Sequence, residues 1–298
     1  MSGLRATREL QGTFTAIVTP FDKGGAVDTG KLRDLVEWQI ASGITGIVPV
    51  GTTGESPTLD FPEHEKVIET TIETARGRCL VIAGTGANST AEAVELTRHA
   101  LGAGADATLQ VTPYYNKPTA TGLVRHFSAV ADLGLPVVLY NVPGRTSREI
   151  PIDVIVKLAE HPGVIAVKEA GGSVERVSRL VRACDLSVIS GDDSLTLPMM
   201  AVGARGVISV ASNVAPEAVV AMVNHALAGR FAEARALHLK YHALFTDLFI
   251  ETSPIPVKAA LAMLGRIEEV YRLPLCEMEP KTRAVLAATL REAGLLKA

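Results

Sequence analysis

What this 298-residue chain has little of narrows its function before any motif is read. It has three cysteines, Cys79, Cys184 and Cys276, far apart and without a CxxC pair, so neither a disulfide framework nor a thiolate zinc site is suggested and a reducing compartment fits. Neither sign of charge dominates. The formal net charge is −3 and the isoelectric point about 6.2, which leaves no basic face for a phosphate backbone or an anionic membrane. No segment approaches the roughly 18 uninterrupted apolar residues of a membrane span, and the opening MSGLRATRELQG scatters its charges without an apolar signal core. A soluble, unexported, cytoplasmic protein without nucleic-acid or membrane partners is expected.

Several motifs are missing as well. No GxGxxG follows the first apolar run, which disfavours a dinucleotide fold. The later loops lack a glycine-rich basic turn, which disfavours a phosphorylated substrate. The seven histidines form no HxxxH or HxH arrangement with an acidic partner, so no metal site is expected. Asp192 and Asp193 could bind a cation, although capping a strand end is the blander account. No low-complexity tract or charge block marks a disordered tail.

What is present is alternation. Short Val- and Ile-rich runs alternate with longer amphipathic, Ala/Glu/Arg-rich segments, the pattern of repeated βα units around a parallel sheet. The runs are GTFTAIVTPF (12–21), TGIVPV (45–50), CLVIAGTG (79–86), ATLQVTPYY (107–115), PVVLYNVP (136–143), VIAVKEA (164–170), LSVISGDD (186–193) and GVISV (206–210). Eight units at this spacing predict an α/β (β/α)8 TIM barrel, with a doubly wound open sheet as the alternative. Helices follow the runs, for example STAEAVELTRHALGAG, where Ser89 and Glu92 could form a capping pair. From about Ala228 the strands stop. Residues 229–298 are expected to be a C-terminal helical domain broken by prolines at 254, 256, 274 and 280, appended to a catalytic barrel over 1–228.

In such a barrel the chemistry gathers at the C-terminal strand ends, where GTTGES (51–56), TPYYN (112–116), YNVPGRT (140–146), KEAGG (168–172) and SGDD (190–193) all fall. Lys168 ends an apolar run. A strand-end lysine usually snorkels to water, but an amine desolvated in an apolar barrel favours its neutral form, which attacks a carbonyl to give a Schiff base. Tyr140 lies one βα unit earlier and could pass protons, or be an ordinary core tyrosine. GTTGES offers hydroxyls and backbone N–H groups to a carboxylate, or is merely a polar turn. Arg145 could clamp a second carboxylate or be a surface arginine.

Taken together and in this order, GTTGESPTL, VTPYYNKP, YNVPGRT, VKEAGG, SGDD and ETSPIPVKAAL resemble the dihydrodipicolinate synthase family, among the pyruvate-dependent class I aldolases that include N-acetylneuraminate lyase. The resemblance spans about Gly12 to Met263. It implies that Lys168 forms a Schiff base with pyruvate, and that Thr53, Tyr140 and Tyr115 form a hydroxyl relay in which Tyr115 reaches in from a neighbouring subunit. It further implies that Thr52 and Thr53 cradle the pyruvate carboxylate, that Arg145 holds the carboxylate of L-aspartate 4-semialdehyde, and that Gly191 and Ile208 line the pyruvate pocket. The product would be the 4-hydroxytetrahydrodipicolinate of lysine and diaminopimelate biosynthesis, made without metal or organic cofactor, typically by a homotetramer of two dimers.

Within that resemblance Arg145 separates siblings. Lyases for 2-keto-3-deoxy sugar acids or N-acetylneuraminate share the lysine and tyrosine but act on polyol arms with no carboxylate to clamp. A third alternative is a catalytically silent relative that senses pyruvate or lysine, which would have no need of the relay. Ser56, His64, Asn88, Glu92 and Tyr114 match the family's inhibitory L-lysine site at the dimer interface. Phe61 departs from the pattern where lysine-sensitive members often carry histidine, so weak inhibition is expected.

Overall fold

The computed structural model describes residues 9–297. Eight strands pair in parallel in chain order: β1 (Gly12–Ala16), β2 (Gly46–Val48), β3 (Leu80–Gly84), β4 (Ala107–Val111), β5 (Val137–Asn141), β6 (Val164–Glu169), β7 (Ser187–Ser190) and β8 (Gly206–Ser209). Strand β8 also pairs with β1, so the sheet closes into a (β/α)8 barrel and the open-sheet alternative falls. At this seam a Cβ on Gly206 would stand 1.9 Å from the carbonyl oxygen of Gly12, an approach that only glycine permits. Each strand is shorter than its apolar run, because the polar ends of the runs leave the ladder as loops at the rim.

Alternation along the strands makes two cores. Phe14, Val48, Ile82, Leu109, Val138, Ile189 and Ile208 fill the barrel, together with Tyr140. Val81, Val137, Leu139, Val167, Val188 and Val207 point outward into the helical layer. One irregularity matters for function. Val137 pairs with Val164 but Val138 pairs with Ala166, so β6 carries one extra residue, Ile165, and beyond it Tyr140 pairs with Lys168. A bulge of one residue reverses which side chains face inward. Here it brings the lysine beside the inward-facing tyrosine.

The helix Phe61–Ala75 begins with a full capping box, Asp60 and Glu63 each bonding the other's backbone N–H. The pair expected at Ser89 does not form: the Ser89 side chain makes no capping bond to the helix Thr90–Ala103, and Glu92 lies close enough to the Tyr114 phenol to perturb it. Beyond the barrel come helices Phe231–Asp247, Ile255–Met263 and Pro280–Glu292. Pro256 and Pro280 start helices rather than separate them, because a first-turn N–H has no intrahelical acceptor to lose. Leu244, Phe245, Leu248, Val257, Leu261, Leu286 and Leu290 join the same core as the outer barrel faces. At about 1.5–3 kcal/mol per fully buried large apolar side chain, that shared core holds the extension against the barrel.

Candidate active site

A cavity of about 250 Å³ opens at the C-terminal ends of the strands, with Gly51, Thr52, Ser56, Tyr114, Tyr140 and Arg145 in its wall. Lys168 lies just behind Tyr140, its Nζ 4.2 Å from the ring centroid. The residue is 6% exposed, and its side-chain amine makes no hydrogen bond or ion pair among the described residues. An amine that is buried, unpaired and packed on a phenol ring is a poor structural lysine and a well-placed nucleophile. Gly191 packs against its stem: an added Cβ would meet Lys168 Cε at 2.9 Å and Ala170 Cβ at 2.7 Å. Ile208 belongs to the barrel interior alongside Tyr140.

The turn after β2 is backbone-strained at both ends, with left-handed φ angles at Val50 (49°) and Glu55 (56°). Gly54 makes this geometry possible, since a Cβ there would lie 2.9 Å from Val50 Cα. Thr52 lines the cavity, whereas Thr53 is 5% exposed beside it and its hydroxyl makes no hydrogen bond among the described residues. Thr112 fixes the neighbouring wall, donating from both its N–H (3.0 Å) and its hydroxyl (2.8 Å) to the Tyr140 carbonyl. Arg145 lies on a short helix, Pro143–Thr146, rather than in an open loop, and its Nη2 donates to the Ser253 carbonyl at 3.1 Å.

The three hydroxyls expected to form a relay are not joined within one chain: no hydrogen bond links Thr53 to Tyr140, and Tyr115, at a φ of 71°, is 91% exposed. The residues that matched the family's L-lysine site gather at the neighbouring edge. Ser56 and Tyr114 line the cavity, His64 lies behind Gly84 with Nε2 3.0 Å from its carbonyl oxygen, and the Asn88 carbonyl accepts from Asn116 Nδ2 at 2.8 Å. Burial, then Glu92, raises the Tyr114 phenol pKa, and burial pushes His64 down to about 4. Phe61 is 40% exposed on the first turn of its helix.

The acidic pair after β7 acts as caps. Asp192 accepts from the Ser194 N–H and hydroxyl, and buried Asp193 accepts from the Ser209 hydroxyl and the N–H groups of Val210 and Ala211. His238 and His242 do lie one helical turn apart, with ring centroids 5.4 Å from each other. Among the described residues no group of three or more His, Cys, Asp or Glu side chains is placed to hold a metal ion.

Sequence reading missed the network behind Lys168. Glu169 points outward, fully buried, and accepts from Asn141 Nδ2 (2.8 Å), the Gly171 N–H (2.8 Å) and Arg176 Nε (2.9 Å). Arg176 in turn donates to the Ile150 carbonyl (2.6 Å) and pairs with Glu149 (2.9 Å). The signal was there: if Lys168 faces in, the adjacent Glu169 must face out into an apolar layer and needs a cation.

The Dihydrodipicolinate synthetase family model matches residues 9–293. The 4-hydroxy-tetrahydrodipicolinate synthase of Thermodesulfovibrio yellowstonii is 51% identical over 290 residues, covering 96% of this chain and 99% of that protein. Among solved structures, dihydrodipicolinate synthase from Aquifex aeolicus superposes with a TM-score of 0.95 at 50% identity, covering 97% of this chain and 100% of that one. The chloride-inhibited enzyme of Acinetobacter baumannii, solved with pyruvate, gives a TM-score of 0.95 at 46% identity over 97% of this chain and 100% of its own. With barrel, strand-end lysine and nearly full-length likeness in agreement, the chain belongs to the dihydrodipicolinate synthetase family.

Proposed function

We propose that this protein is a 4-hydroxy-tetrahydrodipicolinate synthase, condensing pyruvate with L-aspartate 4-semialdehyde through a Schiff base on Lys168. The observation that carries the reading is the unpaired, buried amine of Lys168 in contact with Tyr140, in register at the ends of β6 and β5. The neutral amine adds to the pyruvate ketone carbon, and the carbinolamine loses water to give an iminium. Loss of a methyl proton then yields an enamine, whose carbon attacks the aldehyde carbon. The amino group of the semialdehyde next displaces Lys168 at the imine carbon, which closes the ring and frees the enzyme. The covalent iminium is the electron sink, so the route calls on no metal or organic cofactor.

Tyr140 and Thr53, completed by Tyr115 of a second copy, would carry the protons these steps release and consume. Thr52 and Thr53 would bind the pyruvate carboxylate, with Gly191 and Ile208 shaping the pocket around its methyl side. Arg145, in the wall of the same cavity, would take the semialdehyde carboxylate. Polyol substrates of sibling lyases offer that guanidinium no anion. Ser56, His64, Asn88, Glu92 and Tyr114 would form an L-lysine site against a second copy, weakened by Phe61. The working assembly would be a dimer or a pair of dimers, with 229–298 as a docked helical domain on a barrel of 1–228. No helix among the described residues is long and apolar enough to cross a membrane.

Borohydride reduction with pyruvate and subsequent peptide mapping should place the adduct on Lys168, and its absence would reject the mechanism. Arg145→Ala should raise the KM for the semialdehyde by about 100-fold while leaving pyruvate trapping intact, the loss expected of a charge-assisted bidentate contact.

A further inference from the structure

The turn after β2 is held from the far end of the chain. Glu55 does not line the cavity; its carboxylate forms an ion pair with Lys258, 203 residues away, and both side chains are wholly buried. Lys258 Nζ lies 4.2 Å from the centroid of Phe21 and 5.4 Å from that of Tyr271, while Glu55 Oε2 is buried without a partner. A second cation of the same extension grips the chain just past the turn. Arg272 donates to the carbonyls of Thr58 and Gly25, each at 2.8 Å, and pairs with both oxygens of Glu63 at 2.5 Å.

A buried ion pair is a weak source of net stability, since desolvation of two charges offsets their attraction and a matched apolar pair often serves as well. What it does supply is direction. Glu55 occupies the left-handed region, and without an anchor a glutamate relaxes out of it, rotating the peptides that join it to Thr53. We propose that the Glu55–Lys258 pair is a positioning device: the C-terminal extension, acting through Glu55, keeps the amides of Thr52 and Thr53 aimed at the substrate carboxylate, so that pyruvate affinity depends on docking of the extension. This rests on the reading of that turn as the pyruvate cradle. It also gives the extension a task in the reaction although Lys168 itself belongs to barrel strand β6.

The test is the paired variant Glu55→Met/Lys258→Met, which removes both charges at similar volume and leaves no buried polar side chain unpaired at either position. Folding is monitored by thermal melting and by the fluorescence of Trp38, the chain's single tryptophan, on which the Arg266 guanidinium of the extension stacks at 3.8 Å. In the folded variant the pyruvate KM should rise about tenfold with kcat at saturating pyruvate within about threefold, and the amides of 52–55 should exchange hydrogen about tenfold faster. Unchanged KM and unchanged exchange would overturn the proposal. So would faster exchange at constant KM, because the turn would then be loosened without consequence for pyruvate. If the double variant does not fold, Glu55→Gln alone replaces it. Burial already shifts the Lys258 amine toward its neutral form, so the single variant should cost less than a lone buried charge otherwise would. Failure of the wild type to trap pyruvate on Lys168 would instead reject the cradle reading, and the exchange measurement would still judge the pair.

Discussion

Gly191 shows how narrow the tolerance around the nucleophile is. Its missing side chain leaves room for the Lys168 stem, and Gly191→Ala would force Cε from its place or push β7 outward. A displacement of about 1 Å in a reacting group costs on the order of 100-fold in rate. We therefore expect Gly191→Ala to melt near the wild-type temperature but to lose about 100-fold in pyruvate trapping rate; wild-type trapping would show that the stem accommodates the methyl group. Two buried histidines should make the fold sensitive to acid. His64 and His126 are both pushed down to about 4 by burial, and each has one ring nitrogen buried without a partner. The unfolded chain binds protons at both from pH about 6.5 downward, the native chain only near 4, so stability should fall as pH drops through that window and level off below it. Each histidine can contribute up to about 3 kcal/mol of this loss. Urea unfolding across the window should show it, and His126→Leu should remove roughly the share of one histidine; equal acid sensitivity in the variant would sink the assignment.

At the scale of elements, the strand ends are held by partners from the helical layer. Arg176, on the helix Val174–Ala183, neutralises Glu169 at the end of β6, while Asn141 at the end of β5 bonds both Glu169 and the Ile150 N–H. Arg176→Met alone would leave a buried carboxylate unpaired and should cost about 3–5 kcal/mol in urea unfolding, whereas Glu169→Gln/Arg176→Met should cost distinctly less. Additive losses would mean that the two residues act independently. Much of this level was legible beforehand. The eight strands read directly from the chain because strands covered on both faces are continuous apolar runs, and the polar rim followed from where those runs end. The bulge at Ile165 was not legible: VIAVKE is apolar on both faces, so its composition cannot say which parity faces inward. The capping pair was misread at Ser89 for a related reason. The pattern of residues is the same at Asp60, and only the local chain path decides which side chain turns back.

For the whole molecule, one chain makes an open site. Tyr115 projects from the β4 rim at 91% exposure, with Tyr114 half-turned into the cavity behind it. If a second copy supplies Tyr115, then Tyr115→Ala and Lys168→Ala proteins, each inactive alone, should recover about a quarter of wild-type activity when refolded together in equal amounts, because half the dimers are mixed and one site in each is intact. No recovery in verified mixed dimers would place the relay within a single chain. The extension is the other whole-molecule feature: it touches the site directly where Ser253 accepts from Arg145, and holds the turn after β2 and the chain beyond it through Lys258 and Arg272.

Periodicity and composition by themselves determined the barrel, the strand order, the helical tail and the set of polar groups at one rim, because these arise from local patterns of burial along the chain. Folding in three dimensions decided that a bulge turns Lys168 toward Tyr140, that Glu169 finds Arg176, and that Lys258 reaches Glu55 across 203 residues. These are pairings between distant segments. Their energies depend on desolvation and on angstrom-scale register, which only the packed structure supplies.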